Sequence, residues 1–177
     1  MKHVTTLLVS ALLTTTVVFP LQGSADGEQQ IQYEMVVVRN HALGNLVSNG
    51  KYQLAVNRIT GRRNYEPYAT ATNLCAALTM LGKFAQAEPR CEEAIKLANK
   101  RPVPAPKGWK GINQSATQRA IAYSNRGVMR ILRGNVNGAE EDFLTAIERK
   151  ANLRAPAQNL AKVNVEATAS VVAIVSN

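Results

Sequence analysis

Cysteine and histidine are the side chains that most readily carry metal or nucleophile chemistry, and this sequence holds few of either. Its 177 residues include two cysteines, Cys75 and Cys91, and two histidines, His3 and His41. A zinc site built from Cys75, Cys91 and His41 would lack a fourth protein ligand, so no metal site is expected. The cysteines do not have the Cys-x-x-Cys spacing of a redox pair. His41 has no acid or nucleophile at a recognisable spacing, and a satisfied or exposed imidazole is expected there. No Gly-x-Ser-x-Gly, phosphate loop or His-Glu-x-x-His occurs. The reading is of a chain that is not an enzyme and has no cofactor.

Charge and composition narrow the class further. With 21 Lys+Arg against 12 Asp+Glu the formal charge is +9 and the pI about 9.9, while 46% of residues are hydrophobic. This is the composition of a globular protein with one modest core. A basic chain suggests an acidic partner, and nucleic acid would be the first thought from charge alone. The basic residues are spread out, however, with no run beyond Arg62-Arg63 and Lys100-Arg101, as in a solvated basic surface.

The N-terminus reads as an address. Met1-Lys2-His3 is a short basic start, followed by the apolar run VTTLLVSALLTTTVVFPL, and Gly23 and Ala25 sit where a leader peptidase needs small residues. Residues 1–25 are expected to be a signal peptide, giving an exported, secreted and most simply periplasmic protein. The threonines and Pro20 argue against a retained membrane anchor, so no stable membrane span is expected after cleavage. Export in turn sets nucleic acid aside as a partner.

The elements come from a repeat. NLCAALTMLGKFAQAEPRCEEAIKLA (73–98), NRGVMRILRGNVNGAEEDFLTAIERK (125–150) and NLAKVN (159–164) each open with Asn, any residue, then a small one: Cys75, Gly127 and Ala161. Gly82 and Gly134 follow at equal distances, then Ala87 and Ala139, then Ala94-Ile95 and Ala146-Ile147. Gly127 and Ala161 are 34 residues apart, and Cys75 and Gly127 are 52 apart, which is one 34-residue unit plus an insertion of 18. Leu74, Leu78 and Leu81, and then Ala87, Cys91, Ala94 and Ile95, have helical periodicity. Gly82 and Gly134 are expected to end first helices. Ser115 with Gln118 reads as a capping box, and Asn137 as the cap of the helix that follows it. Pro89 is expected in or just after the first turn of a helix starting near Ala85.

The pattern resembles the tetratricopeptide repeat, a helix–turn–helix unit with small residues where its two helices touch. The resemblance implies an all-α fold, a short α-solenoid of antiparallel hairpins over 42–164, with a divergent first repeat at 42–60 and NLAKVN in a closing cap helix. Residues 26–41 form an N-terminal segment, 101–118 an insertion and 165–177 a tail. Alternation at 31–35 and 163–171 leaves two arrangements open: two short strands pairing N- to C-terminus, or a cap helix that frays into a tail.

Such repeats form a concave groove lined by first helices that holds an extended peptide or a partner helix. Carried to this chain, the groove is lined by Asn73, Ala76 and Met80, then Asn125, Val128, Ile131 and Leu132, then Asn159 and Lys162, with Thr72, Ser124 and Gln158 beside them. The asparagines would hold the backbone of the ligand and the apolar residues its side chains. Cys75 and Cys91 fall at facing places of one hairpin, where an exported protein would bond them; the alternative is two small buried residues that never bond. Trp109 in the insertion is either a partner contact or a cover for the core. The expected function is a non-enzymatic scaffold for a protein or peptide partner. The alternative is a structural component of the cell envelope whose groove is filled by its own ends.

Overall fold

Three glycines set the rhythm of the helices. A computed structural model describes residues 32–39, 42–59, 66–100, 114–150 and 152–175, all within one compact unit. They form α1 (Ala42–Ser48), α2 (Tyr52–Arg58), α3 (Pro67–Met80), α4 (Phe84–Asn99), α5 (Gln114–Leu132), α6 (Val136–Arg149) and α7 (Arg154–Val175). Gly50, Gly82 and Gly134 separate the members of three pairs at φ of 70°, 67° and 88°. Each closes its helix the same way. After α3, the Gly82 N–H donates to the Thr79 carbonyl and the Lys83 N–H to that of Leu78, both at 2.9 Å. Such a turn needs a left-handed residue, which glycine supplies without strain.

The N-terminal ends differ in detail from the expectation. Glu66 caps α3, accepting from the Tyr68 and Ala69 N–H groups, with Pro67 at the first position. Asn135, rather than Asn137, caps α6 and accepts from the Gly138 N–H at 3.0 Å. α5 begins at Gln114, so Ser115 lies inside its first turn and 114–118 belong to the helix rather than to the insertion. Pro89 falls where it is expected: α4 begins at Phe84, and the proline comes just after its first turn, removing the N–H that would have reached the Ala85 carbonyl.

The helices stack in two rows. α1 touches α3, α3 touches α5 and α5 touches α7; α4 fits between α3 and α5, and α6 between α5 and α7. This is an all-α stack of helix pairs, and it fits a tetratricopeptide-like solenoid. The open question at the C-terminus resolves as helix: 163–171 lies within α7, because Ala155, Asn159 and Val163 recur at four-residue spacing on one buried stripe. Burial of that stripe overrides the local strand-like alternation. Among the described residues there is no strand, so the N- to C-terminal strand pairing does not form.

Two devices hold the rows at fixed height. Cys75 of α3 and Cys91 of α4 form a disulfide with their Cα atoms 4.9 Å apart. In the next hairpin Gly127 of α5 faces Phe143 of α6, and a Cβ on Gly127 would stand 2.6 Å from the ring. Ion pairs then join three helices. The Arg126 guanidinium meets Asp142 through two hydrogen bonds of 2.7 and 2.9 Å and Glu92 at 2.6 Å, and Arg130 reaches Asp142 at 3.1 Å. Burial pushes the Asp142 carboxyl above the usual carboxylate range, against the opposing pull of Arg126 and Arg130. A pair this enclosed fixes register more than it adds stability.

Candidate functional site

Three buried asparagines define the site. Asn73, Asn125 and Asn159 occupy the same place in α3, α5 and α7 and are 0%, 1% and 0% exposed. A primary amide has an acceptor oxygen and two N–H donors, and leaving them unmet in a core is costly. Here each is met by one residue of extended chain. Asn159 accepts from the Glu34 N–H at 2.9 Å and donates to its carbonyl at 2.8 Å. Asn125 does the same for Val36 at 2.8 and 2.8 Å. Asn73 does so for Val38 at 2.9 and 3.1 Å.

The geometry explains the choice of residues. Alternate residues of an extended chain present both backbone groups to one edge, so residues 34, 36 and 38 can meet three equally placed amides. The segment runs against the repeat order, from Lys162 of α7, which donates to the Gln32 carbonyl, to Asn73 of α3. Side chains seat it further. Tyr33 is 8% exposed beside Val128, Phe143 and Val163, while Val37 lies against Val47, Ala55 and Ala76. Gly44 of α1 lets the Val38 carbonyl pass against the helix, where any Cβ would collide.

Magnitudes show that both parts are needed. Six such bonds are worth about 6 kcal/mol net. Ordering the backbone of residues 32–38 costs about 7–14 kcal/mol. Burying Tyr33, Met35, Val37 and Val38, each worth up to about 2 kcal/mol, brings the balance near zero or favourable.

The other expected groove residues distribute around this segment. Ala76 and Val128 are buried beneath it, Ile131 is half-buried in the Tyr33 cluster, and Thr72 and Ser124 are buried beside their asparagines. Met80 lines a cleft along the segment, which also takes in Lys162. Leu132 stands apart at the end of α5, 43% exposed, and Gln158 is exposed. His41, Trp109 and the expected signal peptide lie outside the described residues. Sequence reasoning missed Gly44 and Phe143; the occupant is the chain's own N-terminal segment, which is the filled groove of the alternative reading. The alternation at 31–35 did signal extended chain, but its partners are side-chain amides and not another strand.

No protein-family model matches the chain, and no solved structure does. It is similar to RNA polymerase II-associated protein 3 of Xenopus laevis, at 32% identity over 124 residues covering 69% of this chain and 16% of the relative. It is also similar to the protein of that name from Xenopus tropicalis, at 27% identity over 150 residues, covering 84% of this chain and 20% of the relative. The chain thus spans a fifth or less of the length of these curated relatives. The similarity corrects the expected address. Both relatives are Xenopus proteins named for association with RNA polymerase II, which conflicts with an exported, periplasmic protein. The reading as a signal-peptide-bearing, secreted, periplasmic protein is therefore overturned, and setting nucleic acid aside loses its ground with it. Among the described residues no helix is long and apolar enough to cross a membrane. What the comparisons establish is a low-identity similarity to polymerase-associated proteins, carried by a chain that folds as a tetratricopeptide-like helical stack.

Proposed function

We propose that this chain is a protein-interaction scaffold without enzymatic activity, whose concave face holds an extended peptide by its backbone. The asparagine ladder carries this reading. Three amides at equal places in successive repeats grip backbone and not side chain, which suits a face that accepts extended chain of varied sequence. Residues 32–38 occupy that place in the chain itself and act as an internal ligand. The similarity to proteins named for association with a polymerase supports a partner that is itself a protein. The groove residues of this reading are Asn73, Ala76, Met80, Asn125, Val128, Ile131, Asn159 and Lys162.

The test frees the face and refills it. Val36→Pro removes the N–H that Asn125 accepts and releases the internal segment. A labelled synthetic peptide of residues 31–39 should then bind the variant, bind wild type poorly, and lose affinity when Asn125→Ala is added. The second reading, an assembly component with a permanently filled face, is favoured by the burial of Tyr33. It predicts that Val36→Pro unfolds the stack and that no peptide restores it.

A further inference from the structure

The ladder uses one edge of residues 32–38, and Met35 and Val37 lie on the other. Glu34, Val36 and Val38 give their backbone groups to the asparagines, while the N–H and C=O groups of Met35 and Val37, the alternate residues, meet no hydrogen-bond partner among the described residues. Along this edge runs a cleft of about 510 Å³. One wall is the segment from Gln32 to Val37; the other is Val47 and Ser48 of α1, Tyr52 of α2, and Ala76 and Met80 of α3. Lys162 stands at the Gln32 end and Arg39 at the other, with Glu34 the one acidic lining residue.

An open edge of extended chain is a template for another strand. Its alternating donors and acceptors call for a partner with the same alternation, which a peptide backbone has and a nucleic-acid backbone, rich in acceptors, lacks. On the far wall Tyr52 and Met80 are part-exposed and can meet a side chain, and two cations against one carboxylate favour acidic ends. We propose that this cleft binds an extended acidic-ended peptide of a partner protein as a second strand along the edge at Met35 and Val37. The proposal rests on the reading that the ladder holds this segment in place, and it adds a second binding surface that leaves the segment seated.

The experiment uses the full chain and a labelled eight-residue peptide of alternating valine and threonine with a glutamate at each end. Fluorescence anisotropy should show binding to wild type, weakened about tenfold or more by Met35→Pro. That change removes the Met35 N–H and spares all six ladder bonds. Arg39→Glu should weaken binding too, and a probe N-methylated along its pairing edge should not bind wild type, which needs no folded variant. Absence of binding up to about 1 mM would overturn the proposal, as would equal binding of the N-methylated probe or of Met35→Pro. So would equal competition by a single-stranded oligonucleotide, which would mark a general polyanion site. If Val36→Pro tightens binding, the probe is replacing the segment: this inference then fails while the proposed function stands.

Discussion

The α3–α4 and α5–α6 hairpins solve one packing problem by two chemistries. At the same place in the repeat the first carries Cys75 bonded to Cys91, and the second carries Gly127 with the Phe143 ring in the space a side chain would have filled. One is a covalent staple; the other is a knob in a hole. In both, the asparagine two residues upstream, Asn73 or Asn125, lands in the ladder. The repeat therefore demands a short, fixed distance between its paired helices and is indifferent to how that distance is enforced. Asn159 and Ala161 keep the same spacing in α7, which has no second helix after it.

Breaking either device should separate them by size. Phe143→Ala empties the larger volume and should cost about 4 kcal/mol in urea unfolding, more than any change at the cysteines. It should also loosen Tyr33, which shares the cluster of Phe143. Replacing Cys75 and Cys91 together by alanine should cost about 3 kcal/mol, the entropy of the closed loop. Adding reductant should lower wild type by a similar amount and leave the alanine pair unchanged. Gly127→Ala should cost about 2 kcal/mol, because its one methyl must displace the ring at 2.6 Å. If the disulfide loss exceeded that of Phe143→Ala, the two devices would not be equivalent.

Much of this was legible in the residues, for identifiable reasons. Small side chains at Cys75 and Gly127 leave few ways to pair helices, and left-handed turns at Gly82 and Gly134 have a strong local signal; Ala161, read the same way, is exposed on α7 with no second helix to meet. The three asparagines stood out because each opens its unit two residues before the small one. That the amides hold backbone was legible, and the chain's own ends were one of two occupants left open; which residues they hold was not, because a backbone ligand leaves no mark on the residue types that bind it. Alternation in 163–171 left strand and helix open, and burial of Ala155, Asn159 and Val163 decides for the helix. Asn135 and Asn137 are equally good caps by type, and only the turn at Gly134 selects the first. The address was misread because a short basic start and an apolar run describe hydropathy, not a compartment. The disulfide forms in the structure even though the argument from export has fallen.

Amide hydrogen exchange across residues 34–38 of the intact chain tests the ladder most directly. The account predicts an alternating pattern, with slow exchange at Glu34, Val36 and Val38 and fast exchange at Met35 and Val37. Uniformly fast exchange at all five, at the rate of an unfolded peptide, would contradict it.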